Sequence, residues 1–332
     1  MVTHVTVMTG ARLHFGPLAP SGNRGGKFGG IGMMISAPRY VLSARAAEVD
    51  SVVSEESTAV RISQFVCHVR DSMPFGTDAG PCEINVHETI PAHCGFGSGT
   101  QLGLAVASIL SQLSGEPNVA IETLAQRAGR GMRSAIGMYG FAQGGCLVDG
   151  GRSGGPGQLG VLVTRHEFPS EWRIVLASPG ASTGLCGLSE QQAFDALPAM
   201  SLSMTGELCR IVLMDWLPAL VDCNFSQFSS ATYEYGSRVG RFFEPAQGGT
   251  FAHKTMESLV DHLRRRGIQG VAQTSWGPTI AAFFPNLSEA NQLVHDLKNT
   301  PKWSETNLQI VAPLNRGAFV EISNSDGSDL SR

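Results

Sequence analysis

The sequence predicts an α+β protein of two domains, residues 1–168 and 169–332, on three observations. The first is the run Pro91-Ala92-His93-Cys94-Gly95-Phe96-Gly97-Ser98-Gly99-Thr100-Gln101, which joins a stretch with the period of a strand to one with the composition of a buried helix. The second is the helix–strand alternation of the last eighty residues. The third is the uneven spread of the 40 glycines, which crowd into residues 10–32, 95–103, 129–160 and 267–277 and leave ordinary helix and strand text between. Four glycine-dense loops of this kind are expected to converge.

Taken in order, Thr9-Gly10-Ala11-Arg12-Leu13-His14-Phe15-Gly16 reads as a strand with Arg12 and His14 on one side, followed by a loop ending Lys27-Phe28-Gly29-Gly30-Ile31-Gly32. The two side chains face either one ligand or solvent. Cys82, Ile84 and Val86 then alternate with Glu83, Asn85 and His87, the pattern of a half-buried strand, and residues 101–113 read as a buried helix. At the junction, Gly95, Gly97 and Gly99 can supply positive φ and close backbone approach, while N–H groups of the first helical turn point at an anion. The result is a phosphate cradle or a structural turn. No Gly-Lys-Ser/Thr follows, so it is not a P-loop, and the later acidic residue of a dinucleotide site is missing.

Gly129-Arg130-Gly131-Met132-Arg133-Ser134 offers two forked cations between glycines, suited to phosphate or carboxylate, or else a basic helix end. Asp149 follows an apolar strand-like run and is either a site carboxylate or a turn residue before Gly150-Gly151. Residues 150–157 form a turn by composition, and strand-like residues 160–164 and 172–177 put the boundary near 168. Met256, Leu259, Val260 and Leu263 predict a helix capped near Gly267, Ile280–Phe284 a strand, and Ala290, Leu293, Val294 and Leu297, after Ser288, a second helix. Strands at 308–311 and 319–322 follow, giving a sheet with helices on one face and a polar tail from 323. Gln273-Thr274-Ser275-Trp276-Gly277-Pro278-Thr279 carries four hydrogen-bonding side chains and a tryptophan, a set able to clamp an aromatic ring.

Composition excludes several classes. The chain has 332 residues, 42% of them hydrophobic, enough for ordinary cores, and its net charge of −4 gives no global field for nucleic acid or an anionic membrane. Seven cysteines without a CxxC pair suggest reduced thiols, and His87, His93 and Cys94 make no complete metal ligand set. No apolar run reaches the ~20 residues of a membrane span and Met1-Val2-Thr3-His4 opens no signal peptide, so a soluble cytoplasmic protein is expected.

The order of strand, glycine loop, helix and late glycine loop resembles the GHMP superfamily of small-molecule kinases. Within it, Arg12-Leu13-His14-Phe15-Gly16, Gly97-Ser98-Gly99-Thr100-Gln101-Leu102 and Gln273-Thr274-Ser275-Trp276-Gly277-Pro278-Thr279 resemble the β-ribofuranosylaminobenzene 5'-phosphate synthase family, over residues 9–320. The resemblance implies a GHMP-kinase-like fold, with an N-terminal domain like ribosomal protein S5 domain 2 and a ferredoxin-like C-terminal domain. It also implies a homodimer and a reaction joining 4-aminobenzoate to phosphoribosyl pyrophosphate with loss of carbon dioxide and pyrophosphate, towards tetrahydromethanopterin. His14, Arg133 and Asp149 are then the candidate catalytic residues. Candidate substrate contacts are Arg12, Lys27, Gly95, Gly97, Ser98, Gly99, Thr100, Gln101, Arg130, Gln273, Thr274, Ser275 and Trp276, and Ser98 is also expected to help hold Mg²⁺ on pyrophosphate. No nucleic acid, membrane or organic cofactor is implied.

Two alternatives stay open. A GHMP kinase using a catalytic base would place an acid between Ser134 and Gly145, a stretch without Asp or Glu, and would read Ser-Ser-Ala where this chain has Ser98-Gly99-Thr100. A non-catalytic ligand-binding protein on the same fold would bind phosphoribosyl pyrophosphate or ATP and turn over neither. The first glycine loop, Gly26-Lys27-Phe28-Gly29-Gly30, lacks the acidic residue expected of archaeal members and fits a bacterial branch.

Overall fold

The computed structural model describes residues 4–20, 27–75, 77, 79–155, 157–180, 197–275 and 277–323. Two sheets organise them. The first holds β1 (His4–His14), β2 (Gly30–Ala46), β3 (Ser51–Val53), β4 (Cys82–Glu88), β5 (Cys146–Asp149), β6 (Leu162–His166) and β11 (Phe319–Ser323). The 17-residue β2 is its spine: β1 runs antiparallel along one side, while on the other β5 pairs with its first residues and β4 with its last. The second sheet holds β7 (Arg173–Ser178), β8 (Val271–Gln273), β9 (Ile280–Phe284) and β10 (Asn307–Val311), all antiparallel in the order β10-β7-β9-β8. The proposed boundary at 168 falls between β6 and β7. The chain then crosses back at its end, because β11 pairs with β1 rather than with the second sheet.

Helices cover the first sheet through α1 (Glu56–Ser72), α2 (Ser98–Leu113), α3 (Ile121–Arg127) and α4 (Ile136–Gln143). Helix α2 is buried along almost its whole length, which suits its Ala- and Leu-rich text, and it begins three residues before the expected Gln101. The reason is that Ser98, Gly99 and Thr100 carry no apolar signal yet take helical geometry. Gly103 in mid-helix is a space requirement, since a β-carbon there would stand 2.7 Å from the Phe65 ring of α1.

After β7 come α5 (Leu202–Arg210), a π-helical turn (Ile211–Trp216), α6 (Leu217–Val221), the 23-residue α7 (Phe225–Gln247) and α8 (Lys254–Arg265); α9 (Leu287–Lys298) joins β9 to β10. Met256, Leu259, Val260 and Leu263 of α8 and Ala290, Leu293 and Leu297 of α9 pack on one face of the second sheet. Asn286 caps α9, its side chain accepting from the Glu289 N–H. The expectation of helices on one face only is corrected by α7, which covers the opposite face: Phe228, Tyr235, Val239 and Phe243 belong to a core that runs unbroken from Val5 and Leu13 of β1 to Ala272 and Phe283. Phe15, Phe168 and Phe228 each meet Phe283 at ring distances of 5.5–6.1 Å, tying the two sheets together. This packing fixes the walls between which the glycine loops meet.

Candidate active site

All four glycine-dense segments contribute to one cavity of about 580 Å³ between the first sheet, α2 and α7. Gly95 and Gly97 sit there at φ 87° and 68°, the left-handed region that glycine enters without steric cost, and Gly97 is the N-cap of α2. Their reasons differ. A β-carbon at Gly95 would lie 2.3 Å from the Thr274 carbonyl oxygen, so this glycine lets two loops touch. At Gly97 it would lie 2.5 Å from the Arg12 side chain, so this one makes room for a cation. Gly99 has ordinary helical φ, which corrects the expectation of a left-handed residue there; a β-carbon would meet Arg130 Nη2 at 3.5 Å and Arg61 Nη2 at 3.8 Å.

Two guanidinium groups therefore converge on the first turn of α2, where N–H groups point outward. Arg130 lies over the Phe65 ring at 4.9 Å, and its Nε is buried without a hydrogen-bond partner. Burial first, then the positive charges of Arg61 and Arg133, weakens the hold of Arg130 on its proton. Arg61, on α1, was not among the sequence candidates. Its signal is thin: one arginine a helical turn before Phe65, in a helix of mixed polarity. Arg133 also lines this end.

Arg12, whose side chain runs beside the Gly97 N-cap, donates through Nη1 to Ser275 Oγ at 3.1 Å, and that hydroxyl stands 3.5 Å from His14 Nδ1. Arg12 and His14 do share one side of β1, as their spacing predicts, and both face the cavity. His14 is buried, its Nε2 has no partner, and burial together with the nearby Arg12 charge lowers its pKa to about 3, so its imidazole is neutral. Thr274 is wholly enclosed: its Oγ1 donates to the Gly95 carbonyl at 2.8 Å and accepts from the His14 N–H at 3.2 Å. Gln273 lines the cavity, but its amide accepts from the Ala252 N–H and donates to the Ser275 carbonyl. Phe15, Phe28, Val239 and Phe243 are apolar members of the cavity wall.

Several candidates lie elsewhere. Gln101 is fully buried, accepting from Thr9 Oγ1 at 2.6 Å and donating to the Gly137 carbonyl at 2.8 Å, so it ties α2 to β1 and α4 instead of lining the cavity. Asp149 is also sealed away: its carboxylate accepts from the Ala135 N–H at 2.6 Å and the Gly151 N–H at 2.8 Å. Burial raises its pKa, these donors oppose that, and the carboxylate serves to fix the loop carrying Arg133. Lys27 is exposed and outside the cavity, bonded through its backbone to Arg152. Trp276 lies outside the described residues.

The expected Mg²⁺ is one held on pyrophosphate with help from Ser98; a Mg²⁺ held by the protein alone would need a different donor set. Magnesium favours carboxylate and water oxygens, and among the described residues no Asp or Glu lines the cavity and no cluster of three metal-ligating His, Cys, Asp or Glu occurs. Ser98 is buried at the start of α2 near Tyr40, whose hydroxyl donates to the Ile90 carbonyl at 3.3 Å. These residues do not fit a resident divalent cation. Cys67, Cys82, Cys94, Cys146, Cys209 and Cys223 are free thiols, and no described helix is long and apolar enough to cross a membrane.

With this geometry in hand, comparison with known proteins gives a consistent picture. Residues 60–145 match the GHMP kinases N terminal domain, a segment that includes Arg61, the glycine loop and both arginines of the second loop. The chain is 27% identical to a beta-ribofuranosylphenol 5'-phosphate synthase of Methanothermobacter thermautotrophicus over 297 residues, 84% of this chain and 88% of the relative. It is 28% identical to the same-named protein of Archaeoglobus fulgidus over 327 residues, 95% and 98% of the two chains. Among solved structures it resembles a homoserine kinase from Cytophaga hutchinsonii (TM-score 0.63, 15% identity, 97% and 98% of the two chains). It also resembles the mevalonate-3-kinase of Thermoplasma acidophilum (TM-score 0.67, 12% identity, 97% and 99%). The α+β GHMP-kinase-like fold and the resemblance read from the three motifs are both borne out.

Proposed function

We propose that this chain, a GHMP-fold relative of the ribofuranosylphenol phosphate synthases, is a decarboxylating phosphoribosyltransferase that joins 4-aminobenzoate to phosphoribosyl pyrophosphate through a carbon–carbon bond. The observation that carries the reading is one cavity lined both by arginines at the first turn of α2 and by apolar Phe15, Val239 and Phe243. The first group suits the pyrophosphate and phosphate of the donor, the second an aromatic ring.

In the reaction, the C1'–O bond breaks and its electron pair leaves with pyrophosphate. The para amino group of the acceptor pushes density to the ring carbon bearing the carboxylate, which forms the new bond to C1'. Carbon dioxide then leaves, returning its bonding pair to the ring and restoring aromaticity. These steps consume and release no proton. The chain's own work is to hold two anions in line and stabilise the leaving group through Arg130, Arg133 and the α2 N–H groups.

The relatives' printed name points to a phenol, which would correspond to 4-hydroxybenzoate as acceptor. A phenol gains from proton removal as it attacks, whereas an aniline attacks as it stands, and His14, with a pKa of about 3, is a poor base. This favours the amine. Any Mg²⁺ enters with the donor's pyrophosphate, and the proposal includes a cytoplasmic homodimer serving tetrahydromethanopterin synthesis. The test is incubation with carboxyl-labelled 4-aminobenzoate or 4-hydroxybenzoate and phosphoribosyl pyrophosphate, without ATP. Labelled carbon dioxide should be released, faster from the amine. ATP consumption dependent on an alcohol, with no labelled gas, would make the chain a kinase; binding with no turnover of either donor would make it a non-catalytic member of the fold.

A further inference from the structure

Arg61 and Arg130 reach the same point from different elements. Arg61 rises from α1, Arg130 from the loop after α3, and their Nη2 atoms would stand 3.8 and 3.5 Å from a β-carbon at Gly99, in the first turn of α2. Three features make this a built arrangement. The Arg130 guanidinium rests on Phe65, one helical turn after Arg61, so α1 supplies both a cation and the platform for the other. Its Nε is buried with no partner. Among the described residues the cavity wall contains no carboxylate to neutralise them. Like charges held together in a half-buried site repel until an anion arrives, and an anion bearing several oxygens can bridge both forks and the α2 N–H groups at once.

We propose that Arg61 and Arg130 form a clamp that binds the pyrophosphate group of the donor directly, doing by guanidinium groups what a divalent cation does in sites lined by carboxylates. Arg61 is a binding residue for the diphosphate, and diphosphate binding needs no metal. The inference rests on the reading of the cavity as a phosphoribosyl-donor site.

The test is calorimetric titration of the intact protein with inorganic pyrophosphate, in EDTA and in excess Mg²⁺. Pyrophosphate should bind in EDTA with an affinity within about threefold of that in Mg²⁺. Arg61→Ala should weaken binding in EDTA at least tenfold. If that variant does not fold, the same titration on Arg61→Gln, which keeps a polar side chain and most of the aliphatic stem without the charge, decides. Binding that appears only with Mg²⁺, or an Arg61 variant that binds pyrophosphate like the parent, would overturn the clamp. The labelled-gas assay separates the two readings: pyrophosphate bound in EDTA without carbon dioxide release keeps the clamp and removes the synthase. Carbon dioxide release with strictly Mg²⁺-dependent pyrophosphate binding keeps the synthase and removes the clamp.

Discussion

Thr274 and Gln273 on one wall of the cavity and Arg130 at the first turn of α2 are equally polar, but the first two have their hydrogen bonds made and the Arg130 Nε does not. Thr274 is bonded to Gly95 and His14, and the Gln273 amide to Ala252 and Ser275. At the first turn of α2, Arg130 Nε has no partner and its charge lies beside that of Arg61. A dense polar motif can therefore be a joint between sheets, whereas Arg130, with a buried unpartnered Nε beside a second guanidinium group, keeps donors for a ligand. The comparison assigns Gly95 to the joint and Gly99 to the ligand, although both belong to one loop.

The largest effect is expected at the joint. Gly95→Ala combines a left-handed φ with a β-carbon 2.3 Å from the Thr274 oxygen. It should cost ~3 kcal/mol or more in stability by chemical denaturation. A loss below ~1 kcal/mol would show that the two loops are not locked. At the ligand end, Arg130→Ala should leave the fold nearly unchanged while lowering kcat/KM by about 10- to 100-fold, corresponding to ~1.5–3 kcal/mol for charge-assisted bonds. Unchanged kinetics would return Arg130 to a surface role.

Gly99→Ala sharpens the contrast because it opposes the two properties. In a helix the change should raise stability by ~0.5–1 kcal/mol, since the added carbon meets only ordinary contacts, yet the methyl stands between the guanidinium groups and should raise KM for phosphoribosyl pyrophosphate severalfold. A parallel loss of stability and affinity would merge Gly99 with Gly95. The smallest effect concerns pH. The folded pKa of His14, about 3, lies below its ordinary 6.5, so the unfolded chain binds the extra proton between those values and stability falls as pH drops through that window. From pH 7 to 6 the contribution is ~0.7 kcal/mol, and His14→Gln should remove it from the pH dependence of stability; an unaltered slope would show that His14 titrates normally.

Elements with a strong period were legible in the sequence: Met256 to Leu263 in α8, the alternation of β4 and the apolar run of β9. The convergence of the glycine loops was legible too, as were Arg12, His14, Arg130 and Arg133 as lining residues. What local pattern could not supply was partnership. Gln101 and Asp149 carry the chemistry of site residues, but only tertiary contacts reveal that backbone groups and Thr9 already occupy them. Arg61 lies 38 positions before Gly99 in a helix with no motif, and its role depends on α1 packing against α2 through Phe65 and Gly103. The return of β11 to β1 spans the whole chain and has no local signal.

The most direct test of the cavity as a donor site is a crystal structure of the protein with phosphoribosyl pyrophosphate bound. The diphosphate should lie over the first turn of α2 within hydrogen-bonding reach of Arg61 and Arg130, leaving the space beside Val239 and Phe243 open for the acceptor ring. A diphosphate seated instead against the 273–277 loop, or outside the cavity, would contradict the account.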